Sequence, residues 1–225
     1  MVKLSRSKLE LFVECPRCFW LNLNKGIKRP PPAPYTINNA IDALLKREFD
    51  VHREQGSAHY LIEKYKIDAI PFKNEKLADW RNNFVGVQFH HKPTDFMVFG
   101  AIDDVWVNKK DELIVVDYKA TGAKEHQIYE SYKRQMEVYQ WLFAQNGYKV
   151  SRTGYFLFAR VNKEGGFDEA RLSFDLFLEP QEGDNSWVEK ALFEARKVKD
   201  GPLPGHNPEC VYCQFAKVQT GSAIV

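Results

Sequence analysis

Residues 100–119, which read GAIDDVWVNKKDELIVVDYK, constrain the fold of this chain more than any other stretch. The polar run 108–112 separates two segments rich in β-branched and aromatic residues, a pattern that is typical of a β-hairpin. The uninterrupted apolar run 114–116, just before Asp117, is typical of a strand that is buried on both faces. We predict three cross-strand pairs in this hairpin: Val107 with Leu113, Val105 with Val115, and Asp103 with Asp117.

The predicted pairing brings two carboxylates close together inside a sheet. Directly opposed Cβ atoms lie about 4.5–5.5 Å apart, and two buried carboxylates at that distance need a cation between them to stay charged. Because hard divalent ions prefer oxygen ligands, we predict that Asp103 and Asp117 bind Mg²⁺ or Mn²⁺. Lys119 shares a strand face with Asp117 and would hold a water or a phosphate oxygen. The alternative is that these are solvated charges at a strand edge, although charges at the end of a buried strand are uncommon.

A predicted helix over residues 128–145 follows the hairpin. Gln135 and Tyr139 are four residues apart, so their side chains share one face of this helix. The helix also carries an apolar stripe, formed by Ile128, Tyr132, Met136, Tyr139 and Leu142. Taken alone, Gln135 and Tyr139 are equally well explained as residues at the edge of a hydrophobic core.

Three motifs in this order carry a family resemblance. G-x-x-D at 100–103, D-x-K at 117–119 and Q-x-x-x-Y at 135–139 resemble the core of the PD-(D/E)XK nuclease superfamily, in its RecB-type exonuclease branch. The resemblance implies an α/β fold with a restriction-endonuclease-like core, in which helices flank a mixed central β-sheet. It implies a metal-dependent DNA nuclease, with exonuclease action on single-stranded DNA. The catalytic residues that it implies are Asp103, Asp117, Lys119, Gln135 and Tyr139, with the Tyr118 carbonyl as a further metal ligand.

The same family commonly carries a metal-binding histidine on its first core helix. Here that helix is predicted over residues 37–54, with Ile41, Leu44, Leu45 and Phe49 as its buried stripe. No histidine occupies the corresponding part of the helix, so Asp42 is the candidate replacement at the metal site. Asp42 is equally well explained as a surface charge, and His52 is a weaker alternative.

All four cysteines belong to C-x-x-C pairs at opposite ends of the chain, in Cys15-Pro16-Arg17-Cys18 and Cys210-Val211-Tyr212-Cys213. Two such pairs with no cysteine left over predict a four-thiolate metal site that joins the N- and C-terminal regions. Two local disulfides are the alternative. They are disfavoured because no signal peptide is evident and a cytoplasmic, reducing location is expected.

Four thiolates suit either zinc or a [4Fe–4S] cluster. Residues 4–23 resemble the N-terminus of the RecB-type branch, whose CRISPR-associated and helicase-linked members hold a cluster with one N-terminal and three C-terminal cysteines. The resemblance favours the iron–sulfur cluster, whereas the two-and-two arrangement here keeps Zn²⁺ as an alternative. His206 is a spare ligand that four thiolates would not need.

Length and composition fit one soluble domain over residues 1–225, because 44% of the 225 residues are hydrophobic and no apolar run reaches membrane-span length. The net charge of +2 neither demands nor excludes nucleic acid. The expected partner is DNA, with a helicase or another recombination or repair protein as a separate chain. Two other functions stay open: a nucleic-acid-binding module with a degenerate site, and a zinc-containing interaction domain.

The remaining predicted elements frame these motifs. A capping box at Ser7 and Glu10 is predicted to begin the first helix, and the proline-rich stretch 29–34 to end it. Further segments are a helix at 77–85, a strand at 155–161, an antiparallel neighbour at 171–178, a helix at 186–199 and a loop at 201–208.

Overall fold

The computed structural model describes residues 1–31, 36–164 and 168–221. Its strands are β1 (Val2–Ser5), β2 (Ala69–Pro71), β3 (Val87–His91), β4 (Phe96–Gly100), β5 (Asp104–Asn108), β6 (Leu113–Thr121), β7 (Thr153–Val161) and β8 (Phe174–Glu182). Its helices are α1 (Arg6–Glu14), α2 (Pro16–Lys25), α3 (Thr36–Gln55), α4 (Tyr60–Lys64), α5 (Leu77–Trp80), α6 (Glu130–Gln145), α7 (Ser186–Asp200) and α8 (Val211–Gly221). Across these ranges, every helix is too short or too polar to cross a membrane.

The chain forms two compact units. One contains Met1–Ala33, His90–Val98 and Ser186–Val225, and the other contains Pro34–Phe89 and Phe99–Asn185. We call them the cysteine unit and the sheet unit. The prediction of a single domain over residues 1–225 stays a prediction.

The sheet unit is built on a five-stranded mixed sheet of order β2-β5-β6-β7-β8. Strands β6 and β7 pair in parallel, and α6 connects them as a crossover helix. The predicted hairpin register is confirmed for two pairs, Val107 with Leu113 and Val105 with Val115. Asp103 lies just before the first paired residue of β5, so its pairing with Asp117 is not part of the ladder. The predicted α/β fold with a mixed central sheet and flanking helices is confirmed.

β6 occupies the centre of this sheet, as its apolar sequence predicts. Residues 113–118 are all buried. On one face, Trp106 and Tyr118 pack against Phe49 of α3, with ring centroids 5.6 and 5.8 Å away. The predicted stripe of α3 was wrong at Leu44, which is 55% exposed, whereas Leu45 and Phe49 are buried. α3 therefore packs a narrower face against the sheet than the sequence pattern indicated.

After strand β1, the cysteine unit continues with two short helices, α1 and α2, which are separated by Cys15. The predicted capping box at Ser7 was wrong: Ser5 is the N-cap of α1, and its Oγ accepts a hydrogen bond from the Lys8 N–H at 3.3 Å. The backbone of Cys15 is extended, and Pro16 begins α2 with the fixed φ that suits a first helical position. Strand β1 and helix α8 were not predicted. The proline-rich stretch 29–34 lies partly outside the described residues.

Other boundaries differ from the sequence prediction for local reasons. The predicted helix at 77–85 was wrong beyond Trp80, because the Asn82 side chain accepts from the Phe84 N–H and turns the chain. Gly86 then lies against the backbone of Gly100, where an added Cβ would come within 2.5 Å. The strand predicted at 171–178 begins at Phe174 and ends at Glu182, and its antiparallel pairing with β7 is confirmed.

Candidate active site

Asp117 and Lys119 lie on one face of β6 and form an ion pair. The Asp117 carboxylate is fully buried and the Lys119 side chain is 17% exposed. Burial by itself lowers the pKa of Lys119, but the charges of Asp117 and Asp103 outweigh it and hold the pKa above its usual value. The site therefore contains a largely buried ammonium group that stays charged at neutral pH.

Asp103 reaches the same place from the start of β5. Its Oδ2 atom accepts the backbone N–H of Tyr118 at 2.9 Å, at the point where β5 has not yet begun to pair with β6. Its Oδ1 atom lies 3.3 Å from Nζ of Lys46 on α3. The carboxylate thus takes the place of a missing ladder partner and is fixed beside the Asp117–Lys119 pair.

The crossover helix α6 supplies the amide that joins these groups. Gln135 donates from Nε2 to Asp117 Oδ1 at 2.7 Å, and its Oε1 accepts from Lys119 Nζ at 3.3 Å. The same Nε2 lies 3.2 Å from the Tyr139 hydroxyl, one helical turn away. Lys119 also lies over the face of the Tyr132 ring, 4.5 Å from its centroid, in cation–π geometry. The predicted Q-x-x-x-Y pair therefore faces the hairpin carboxylates.

Asp42 lies beside this group and is connected to Asp103 through Lys46, a residue that was not predicted to belong to the site. Lys46 Nζ is 2.7 Å from Asp42 Oδ2 and also contacts Asp103. Burial and then the charge of Asp103 raise the pKa of Asp42. The sequence signal for Lys46 is its position one helical turn after Asp42. His52, the weaker alternative, instead bonds to the Ser57 hydroxyl at 3.0 Å.

A second charged cluster, also missed from sequence, holds the start of β5. The carboxylate of Asp104 is fully buried and binds Arg53, Arg81 and the Tyr118 hydroxyl, which donates at 2.7 Å. Arg81 also donates from Nε to the Asp103 carbonyl at 2.9 Å. Burial, followed by the Asp104 charge, raises the pKa of Tyr118, so the phenol stays a donor. This cluster fixes the backbone at Asp103, because Arg81 binds both the Asp103 carbonyl and the Asp104 carboxylate.

The chemical type of the donor groups suits a divalent cation. Asp42, Asp103 and Asp117 offer hard carboxylate oxygens, the ligands that Mg²⁺ and Mn²⁺ prefer. The ammonium groups of Lys46 and Lys119 contact all three carboxylates, so the anionic charge already attracts cations to this point. The role of the Tyr118 carbonyl as a further ligand stays a prediction.

The cysteine unit contains a second candidate metal centre. The four Sγ atoms of its cysteines, all buried, lie within 4.8 Å of one another: Cys15, Cys18, Cys210 and Cys213. Cys15 Sγ is 3.6 Å from Cys213 Sγ, and Cys18 Sγ is 3.8 Å from Cys210 Sγ. The thiols are free, so the alternative of two local disulfides was wrong. The predicted joining of the N- and C-terminal regions through the cysteines is confirmed. His206 is exposed and does not belong to this group of four cysteines.

An arginine that the sequence analysis did not single out borders the thiols. Arg29 donates from Nη2 to Cys210 Sγ at 3.4 Å, pairs with Glu14, and lies 4.7 Å from the Tyr212 ring centroid. Burial raises the pKa of the Cys18 thiol to about 12. Burial also acts on Cys210, but hydrogen bonds from the Cys213 backbone and neighbouring thiols lower its pKa to about 7. The arginine supplies positive charge that favours thiolate over thiol.

Comparison with known proteins agrees with the motifs. The sequence model of the PD-(D/E)XK nuclease superfamily matches residues 28–218. No curated protein matches the chain. Among solved structures, a crystal structure of SSO0001 is 14% identical, with a TM-score of 0.46, over 96% of this chain and 84% of that one. An alkaline exonuclease, LHK-Exo from Laribacter hongkongensis, is 12% identical both alone and in complex with dAMP. Each of these two structures gives a TM-score of 0.42 over 98% of this chain and 94% of that one.

Proposed function

The chain belongs to the PD-(D/E)XK nuclease superfamily, and on that premise we propose that it is a metal-dependent deoxyribonuclease. The observation that carries the proposal is the convergence of Asp103, Asp117, Lys119 and Gln135 through direct side-chain and backbone contacts. A degenerate binding module would have no need for a charged lysine that is buried beside two carboxylates.

Asp42, Asp103 and Asp117, with the Tyr118 carbonyl, would hold Mg²⁺ or Mn²⁺. The bound ion would supply two effects: polarisation of the scissile phosphate and a lower pKa for a bound water. The protein supplies the remaining chemistry. Asp103 is oriented by the Tyr118 N–H, and Asp117 by the Gln135 amide. The carboxylates therefore need little reorganisation when substrate arrives.

Lys119 is the residue that we assign to charge stabilisation. Its ammonium is held by Asp117, Gln135 and the Tyr132 ring, and only a small part of it faces solvent. A fixed cation in such a site stabilises the negative charge that grows on the phosphate in the transition state. Gln135 is a positioning residue, because it accepts from Lys119 while donating to Asp117. Tyr139 acts one step further out, through Gln135.

The cysteine site has a structural role in this proposal. Around one tetrahedral ion with metal–sulfur bonds near 2.3 Å, sulfur atoms lie about 3.8 Å apart. Two of the sulfur pairs, at 3.6 and 3.8 Å, have this spacing, and all four sulfurs lie within 4.8 Å of one another. In a [4Fe–4S] cluster each cysteine binds a different iron, which spreads the sulfurs further apart. The spacing favours Zn²⁺ over the iron–sulfur cluster that the family resemblance favoured.

The finer substrate assignment follows the RecB-type resemblance: exonuclease action on single-stranded DNA. A helicase or repair protein as a separate partner, and a cytoplasmic location, stay predictions.

The test is cleavage of end-labelled single- and double-stranded DNA with Mg²⁺ or Mn²⁺. Wild type should cleave, and Lys119→Ala should lose at least about 100-fold in kcat, the usual effect of removing one transition-state charge stabiliser. Lys109→Ala is the matched control, because Lys109 lies in the hairpin turn with its side chain 83% exposed. Equal cleavage by wild type and Lys119→Ala would reject the assigned site. Binding without cleavage by folded, metal-loaded wild type would favour the binding module.

A further inference from the structure

An exposed tyrosine lies two contacts from the catalytic lysine. Tyr129 is the N-cap residue of α6, and 52% of the residue's surface is exposed. Its ring packs edge-on against the Tyr132 ring, with centroids 5.2 Å apart and an interplanar angle of 84°. Tyr132 in turn carries the Lys119 ammonium over its ring face at 4.5 Å. A continuous path of contacts therefore runs from Asp117 through Lys119 and Tyr132 to an aromatic ring at the surface.

The backbone of Tyr129 is held in place. Its carbonyl accepts the N–H groups of Tyr132 at 2.9 Å and of Lys133 at 3.2 Å, as the first turn of α6 closes. Despite this T-shaped contact, about half of the Tyr129 surface stays accessible. Lys133 pairs with Glu130 on the exposed side of the same turn. A half-exposed ring near the Lys119 ammonium matches the two parts of a nucleotide, a flat base and its charged backbone.

We propose that Tyr129 is a base-stacking residue, which binds an unpaired base next to the phosphate held at Lys119 and so selects single-stranded DNA. The inference rests on the proposed nuclease function and specifies its substrate. Every base has a π-face, so stacking on tyrosine tolerates any sequence. A base inside a duplex is already stacked on both sides and cannot present that face. The ring therefore discriminates by strandedness and not by sequence.

Binding is measured with the full chain in the absence of Mg²⁺ and Mn²⁺, so that DNA is not consumed, by fluorescence anisotropy of a labelled oligonucleotide. Tyr129→Ala should weaken binding to single-stranded DNA by about 5- to 150-fold, which corresponds to the loss of one stacked base. Binding to a duplex of the same length should change little. Tyr129→Phe should retain most of the affinity, since it keeps the ring. Tyr60→Ala is the matched control. Tyr60 is also 52% exposed, but it lies at the start of α4, where its ring contacts the His59 ring.

A second measurement separates stacking from a general effect on folding. A scan of single abasic positions along the oligonucleotide should find one position that weakens binding to the metal-free wild-type protein. The same position should have no effect once Tyr129→Ala is present, because the ring and the base act as a pair. Equal sensitivity with and without Tyr129, or an unchanged affinity of Tyr129→Ala, would overturn the stacking assignment while wild-type cleavage kept the proposed function. A wild-type chain that neither binds nor cleaves DNA would overturn both.

Discussion

The Gln135 amide donates to Asp117 at 2.7 Å and thereby connects the crossover helix α6 to the central strand β6. The same amide accepts from Lys119, so both of its ends are fixed by charged partners on one strand. Because α6 joins the parallel pair β6 and β7, the crossover that builds the sheet also positions Lys119.

We expect Gln135→Leu to reduce kcat by about 10- to 100-fold, the usual effect of removing a side chain that orients a metal ligand. KM should change less, because Gln135 acts on the orientation of Asp117 and Lys119. Steady-state cleavage kinetics measure both constants. Gln55→Leu, at the exposed end of α3, is the control. A fall in activity that tracks only a loss of folded protein would argue against a positioning role.

Asp103→Asn should weaken Mn²⁺ binding by at least about tenfold, because it removes one anionic oxygen ligand from the site. Isothermal titration of the metal into the protein measures this directly, without DNA. Asp111→Asn is the matched control, since Asp111 lies in the hairpin turn and its φ of 58° suits asparagine as well. Unchanged Mn²⁺ affinity in Asp103→Asn would remove Asp103 from the ligand set.

Lys46→Met should have the opposite effect on the same titration. The Lys46 ammonium contacts Asp42 and Asp103 and competes with a divalent ion for both carboxylates. Its removal should tighten Mn²⁺ binding by about tenfold, which corresponds to roughly 1.4 kcal/mol of relieved charge repulsion. Lys109→Met should leave the affinity unchanged. Weaker binding in Lys46→Met would show that the lysine orders the carboxylates more than it competes.

Arg81→Met should lower the free energy of unfolding by about 3 kcal/mol. Arg81 is 14% exposed and binds both the buried Asp104 carboxylate and the Asp103 carbonyl, so its loss leaves a buried charge poorly compensated. Urea denaturation measures the change. Lys73→Met breaks a pair with Glu54 in which both side chains are more than 60% exposed, and it should cost at most about 1 kcal/mol. Equal costs for the two variants would show that burial does not strengthen the Asp104 cluster.

Purified protein should contain one zinc ion per chain, measured by elemental analysis, and should lack the visible absorption of an iron–sulfur cluster. Cys210→Ser should lose the metal and unfold at lower denaturant, because binding energy at such a site is folding energy. Cys15→Ser should behave alike, and the double variant should be little worse than either single variant, since the four ligands act as one unit. A metal-free Cys210→Ser protein of wild-type stability would exclude the structural role. A content of four irons per chain would support the iron–sulfur cluster in place of zinc.

Local sequence motifs determine the centre of the fold. Apolar residues before Asp117 required a buried strand, the polar run 108–112 required a turn, and together they gave the register observed for Val105 with Val115. The helical spacing of Gln135 and Tyr139 placed them on one face, and paired cysteines predicted the thiolate cluster. These features are short-range or stoichiometric, so local sequence is sufficient to specify them.

Only the tertiary structure decided the different roles of neighbouring charged residues. Asp103 and Asp104 are adjacent and chemically identical, yet one faces the candidate metal site and the other is buried against Arg53 and Arg81. Lys46 and Arg81 come from other elements of the sheet unit and look like ordinary surface charges in sequence. Lys46 and Arg81 contact Asp103 from 57 and 22 positions away in the sequence, respectively. No local pattern encodes such contacts, because burial and the packing of distant elements create them together.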